Sequence, residues 1–196
     1  MTLAARIFKA TVFLTVAFSI GTAGAGPIES AYTKIRIDAC QKLSEHEMGA
    51  TWTCPGFENI PVIVAESDLR FFVSYGENGD EEKAFRFTPV YFNHINETLE
   101  WRYESKGGKR VPFATILRFF LDREGKKPGQ VLIVTTLGPN GVCHVAYIDA
   151  RARKNANQLA REIADTKARS FDCNQDAALY GRPGAGETGF WDTAVQ

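Results

Sequence analysis

Leu99-Glu100-Trp101-Arg102-Tyr103-Glu104 alternates large apolar and charged side chains without a break. A period of two marks a β-strand with one buried and one solvated face. The stretch predicts Leu99, Trp101 and Tyr103 inside, and Glu100, Arg102 and Glu104 outside. Lys106-Gly107-Gly108-Lys109 then turns the chain. Residues 113–121 return, with Thr115, Leu117, Phe119 and Leu121 on one face and Ile116, Arg118 and Phe120 on the other. Residues 122–129 are a polar hairpin loop. Residues 131–137 are a β-branched run of the kind buried on both faces. Gly138-Pro139-Asn140-Gly141 turns again, and residues 142–148 follow. Four strands in succession predict a meander.

The period changes beyond this point. Ala156, Leu159, Ala160, Ile163 and Ala164 fall on one face of a helix, with Asn155 placed as its N-cap. Upstream, residues 51–54, 62–65 and 69–75 predict a three-stranded antiparallel unit, with Glu66-Ser67-Asp68 as a tight turn. Residues 27–32 read as a lead-in, 76–83 as an exposed acidic loop, and 84–96 as irregular. The expected fold is α+β. It is one antiparallel sheet of six to seven strands, strongly twisted or partly rolled, with a C-terminal amphipathic helix packed on it.

The ends set the expected address. Arg6 and Lys9 precede an apolar stretch from Ala10 to Ile20, and Ala23-Gly24-Ala25 fits a signal-peptidase site. The expected organisation is a signal peptide at 1–25, one domain at 26–175 and a disordered tail at 176–196. In that tail Phe190-Trp191 is an aromatic pair without an assigned role. Localisation is expected to be periplasmic or secreted, with no membrane span after cleavage. The whole chain balances 23 Lys plus Arg against 23 Asp plus Glu. Losing Arg6 and Lys9 leaves a slight acid excess, which argues against nucleic acid as a partner.

Cys40, Cys54, Cys143 and Cys173 form an even set on an exported chain, which predicts a disulfide framework. The expected pairs are Cys40–Cys54 and Cys143–Cys173, each joining neighbours along the chain. Paired cysteines supply no thiol nucleophile. No C-x-x-C occurs, and His144 falls on the opposite strand face from Cys143, so no metal site is expected.

No catalytic residue and no cofactor are assigned. G-x-S-x-G, H-E-x-x-H and a Walker loop are absent from the sequence. His46-Glu47 has Ala50 where a second histidine would stand. His94, in the irregular segment, and His144, on a strand, are open as site residues. So is the charged face of Glu100, Arg102 and Arg118, whose simpler reading is cross-strand pairing. Asp68 with Glu100 is a formal carboxylate pair, and Asp68 with Arg70 a local ion pair across a turn. Asn96-Glu97-Thr98 matches a glycosylation sequon.

Cys54-Pro-Gly56, Ile60-Pro-Val62, Ser67-Asp-Leu-Arg70, Val73-Ser-Tyr-Gly76, Leu99-Glu-Trp-Arg102, Pro112-Phe-Ala-Thr-Ile-Leu-Arg118, Cys143-His-Val-Ala-Tyr-Ile-Asp-Ala150 and Ala156-Asn-Gln-Leu-Ala-Arg161 resemble a family of small secreted hypothetical proteins of alphaproteobacteria. The resemblance spans about residues 32–173. It implies a periplasmic setting and a lone domain. It implies no activity and carries over no functional residues.

Three functions are compatible with these readings. The first is a non-enzymatic periplasmic binding or inhibitor module stabilised by two disulfides, with an envelope protein or glycan as its partner class. The others are a periplasmic hydrolase with a dispersed polar site, and an envelope structural or stress protein.

Overall fold

The meander 99–148 does form, but as part of a larger design than one sheet. The computed structural model describes residues 26–125 and 127–180. The expected signal segment and Phe190-Trp191 lie outside the described residues. Among the described residues the strands are β1 (Ile28–Lys34), β2 (Gln41–His46), β3 (Gly49–Cys54), β4 (Val62–Ser67), β5 (Arg70–Tyr75), β6 (Asn93–Lys106), β7 (Lys109–Leu121), β8 (Gly129–Gly138), β9 (Gly141–Asp149) and β10 (Leu179–Tyr180). One α-helix, α1 (Ala156–Lys167), lies between β9 and β10.

The strands divide between two sheets, which corrects the expectation of one sheet of six to seven strands. The large sheet has the order β1-β6-β7-β8-β9-β10, and the small sheet β2-β3-β4-β5. All pairings are antiparallel except the two-residue β10, which runs parallel to β9. The antiparallel α+β class holds.

Three layers result. The small sheet contributes Val62, Val64, Val73 and Tyr75 to a core shared with Leu99, Trp101, Leu117, Phe119 and Ile133 of the large sheet. Trp101 is 0% exposed. Its Nε1–H donates to Thr33 Oγ1 at 2.8 Å, and its ring meets Tyr75 edge-on at 5.5 Å. Burying such a side chain contributes about 3 kcal/mol. On the other face of the large sheet, Ala156, Ala160, Ala164 and Ala168 pack against Ile116, Val134 and Val145. Alanine at every fourth position gives α1 a flat face that seats close to the sheet.

Strands also form where the sequence reading placed none, and residues 93–96 of the segment expected to be irregular open β6. Residues 27–32, the expected lead-in, contribute to β1, which pairs with β6 from Ile28 opposite Glu104 to Lys34 opposite Thr98. Residues 41–46 form β2, exposed along its whole length. Asn155 stands at the N-cap of α1 as expected, but its side chain makes no capping bond. β10 places strand pairing past the boundary expected at 175.

Both disulfides have the expected partners, Cys40–Cys54 and Cys143–Cys173. The first ties the turn after β1 to the end of β3. The second ties the start of β9 to the segment beyond α1. Such bridges fit an oxidising, exported environment. No helix of the described residues is long and apolar enough to cross a membrane.

Candidate binding surface

The charged face predicted to be wet is largely covered. α1 lies over it, so Glu100 and Arg102 are buried. Arg102 grips Asp165 of α1 with two bonds, Nε to Oδ1 at 2.8 Å and Nη2 to Oδ2 at 2.7 Å. Arg161 of α1 grips Glu100 likewise, at 2.6 and 3.2 Å. Glu100 also accepts from Ser30 at 2.6 Å, and Arg102 donates to the same hydroxyl. The Glu100 hydrogen bond raises the pKa of Arg161. Arg118 stands apart, donating to Gln130 at 3.0 Å and to Asn157 at 2.9 Å. Each charge is met by a partner, so the cluster fastens helix to sheet.

His144 is also committed. A bulge in β9 leaves Val145 without a partner between His144, opposite Thr135, and Ala146, opposite Val134. The extra residue puts His144 on the same face as Tyr147, three positions on. The Tyr147 hydroxyl lies 2.8 Å from Nδ1, and the ring tautomer sets which of the two donates. Burial lowers the His144 pKa from 6.5 to about 3. The imidazole is neutral in the fold and packs in the interior. Asp68 and Glu100 do not meet: Asp68 sits at the β4–β5 turn, where it pairs with Arg70 at 3.0 Å.

His94 is different. It is exposed near the start of β6 and stacks on Phe120, with centroids 4.9 Å apart and planes 18° from parallel. It lines an open groove of about 520 Å³ together with Glu66, Leu69, Phe92 and Asp122. A second hollow of about 630 Å³ shares Phe92 and Asp122 and extends to Val90, Arg123 and Glu124. The two form one depression at the sheet end where β6 begins and β7 stops.

The β4–β5 hairpin supplies one wall. Ser67 pairs with Arg70, so Asp68 and Leu69 alone make the turn. Both are left-handed, with φ of 52° and 59°. A two-residue turn with both central φ values positive is the I′ type, which favours Asn-Gly or Asp-Gly. Here leucine holds the glycine position. A bulky residue in that conformation costs about 1–2 kcal/mol. Its side chain gains little burial in return, since Leu69 is 62% exposed.

Asn93 fixes the opposite wall. Its Oδ1 accepts from Phe71 N–H at 3.0 Å, and its Nδ2 donates to the Tyr91 carbonyl at 2.9 Å and to Thr88 Oγ1 at 3.3 Å. Asn93 N–H reaches the Leu69 carbonyl at 2.9 Å, while Asp122 N–H bonds the Phe92 carbonyl at 2.8 Å. Segment 88–93 is thus anchored to both sheets while Phe92 stays 49% exposed. Leu69, Phe92 and Val90 are the exposed apolar residues of the two hollows, whose charged lining is three carboxylates, Glu66, Asp122 and Glu124, against one guanidinium, Arg123.

Of these residues, the sequence points to His94 and, through the Asp68-Leu69-Arg70 segment, to the turn that carries Leu69. The sequence places Leu69 in a strand, and the structure puts it in the turn before β5. The sequence carries no signal for the left-handed leucine, because the two-residue turn follows from the pairing of Ser67 with Arg70. No family model, curated protein or solved structure matches the chain.

Proposed function

We propose that this protein is an exported, periplasmic binding or inhibitor module that engages an envelope protein through the Leu69–Phe92 groove. The observation that carries the reading is Leu69 itself. A leucine in left-handed backbone costs stability, and its exposed side chain does not recover that cost within the fold. Backbone strain of this kind concentrates where a side chain must be presented to a ligand. The strained tip lies beside Phe92 and Val90, so several apolar groups converge. The surrounding carboxylates favour a partner that offers an apolar side chain flanked by Lys or Arg.

The test is capture of envelope proteins by the immobilised mature chain. A partner held by the wild type should be lost with Leu69→Gly and with Phe92→Asp. It should be retained with Leu43→Ala, on the exposed edge strand β2. Capture should weaken as salt rises. A partner retained equally by all variants, or none at all, removes the reading.

A hydrolase is the second reading, because Glu66, His94 and Asp122 line one groove. Turnover of an ester, glycoside or peptide panel that disappears in both His94→Gln and Asp122→Asn would establish it.

A further inference from the structure

We propose that the chain carries its own competitor for this groove: the C-terminal segment bearing Phe190 and Trp191 seats there intramolecularly. This rests on the reading of the groove as a binding surface. The first support is direction. β10 runs parallel to β9, with Leu179 beside Ala146 and Tyr180 beside Tyr147. It therefore points toward Asp149, which lies opposite Val131. β8 begins at Gly129 opposite Leu121, and Leu121 lies opposite Asn93. The last described strand therefore points toward the groove end of the sheet.

The second support is reach. From β10 to β7 is three strand spacings, about 14 Å. Tyr147 is level with Leu117 through Ile133, and Leu121 lies four residues further on. That adds about 13 Å along the strand. The straight path is thus roughly 19 Å, and the chain from Tyr180 to Phe190 can extend to about 33 Å. The third support is chemistry. Phe190-Trp191 supplies adjacent large aromatics, and the groove presents Phe92, Val90 and Leu69 to receive them. An external partner would then have to displace the tail.

Acrylamide quenching of Trp191 fluorescence in the intact mature chain tests this. The Trp191 signal is obtained by subtracting a Trp191→Phe variant. The expected quenching constant is at least three-fold below that of a free peptide of residues 181–196, and independent of protein concentration. Phe92→Asp should raise it to the peptide value, and Val90→Asp should do so as a second, independent change to the groove. Circular dichroism confirms that each variant is folded. Trp191 as quenchable as the peptide in the wild type overturns the proposal. So does protection unaffected by either substitution, or protection that appears only as concentration rises, which would indicate a second copy. Failure here leaves the capture experiment untouched. Capture that fails while Trp191 is protected in a Phe92-dependent way removes only the external partner.

Discussion

Arg102 on β6 and Asp165 on α1 are joined by two parallel hydrogen bonds, at 2.8 and 2.7 Å. This fork fixes how the helix lies on the sheet. Removing one partner leaves the other poorly solvated, which costs about 3 kcal/mol. Arg102→Met should therefore lower stability by about that amount in urea unfolding. Arg102→Met combined with Asp165→Leu should recover a measurable part of the loss. A double variant that simply sums the two single losses would mean that the pair is not coupled.

His144 gives the fold an acid limit. Its pKa is about 3 in the fold, against 6.5 for the free group, because burial disfavours the cation. Between those values the unfolded chain binds the extra proton and the folded chain does not. Stability from this group is complete above pH ~6.5 and declines as pH falls toward 3. The effect scales at about 1.4 kcal/mol per pH unit within the window. His144→Gln should flatten the decline in urea midpoint between pH 7 and pH 4. An unchanged slope would assign acid sensitivity to other groups.

On the proposed reading, Leu69 gives up stability for binding. Leu69→Gly restores the favoured Asp-Gly turn and should stabilise by about 1 kcal/mol. For a chain of this size that raises Tm by about 2–4 °C in calorimetry. The same change should abolish partner capture. A lower Tm would show that the leucine side chain supports the fold.

The disulfides should differ in weight. Cys143–Cys173 spans 30 residues and Cys40–Cys54 spans 14. On the loop-entropy model they are worth about 3.7 and 3 kcal/mol. Replacing each pair by alanine should reproduce that order in denaturant midpoints under non-reducing conditions.

Much of the large sheet was legible because its strands alternate or are β-branched. The period of two in Leu99–Glu104 correctly separates Leu99 and Trp101 from Glu100 and Arg102. It does not say what covers the second face, and α1 buries the latter pair through Asp165 and Arg161. β1 and β2 were missed because both are edge strands. β2, as Gln-Lys-Leu-Ser-Glu-His, buries neither face and so carries no alternation. The groove was illegible for a further reason. Its walls come from β4–β5, segment 88–93 and the end of β7, and only the tertiary fold brings them together.

The unpaired Val145 also bears on how the chain finds its alignment. In an unbulged β9, Cys143 would share a face with Tyr147, inside the sandwich and away from Cys173. The bulge turns Cys143 toward α1, where the bridge closes. Oxidation is therefore compatible with one of two neighbouring alignments of β9 on β8. The covalent bond acts as a proofreader of strand register, accepting the chain only after the extra residue has been set aside.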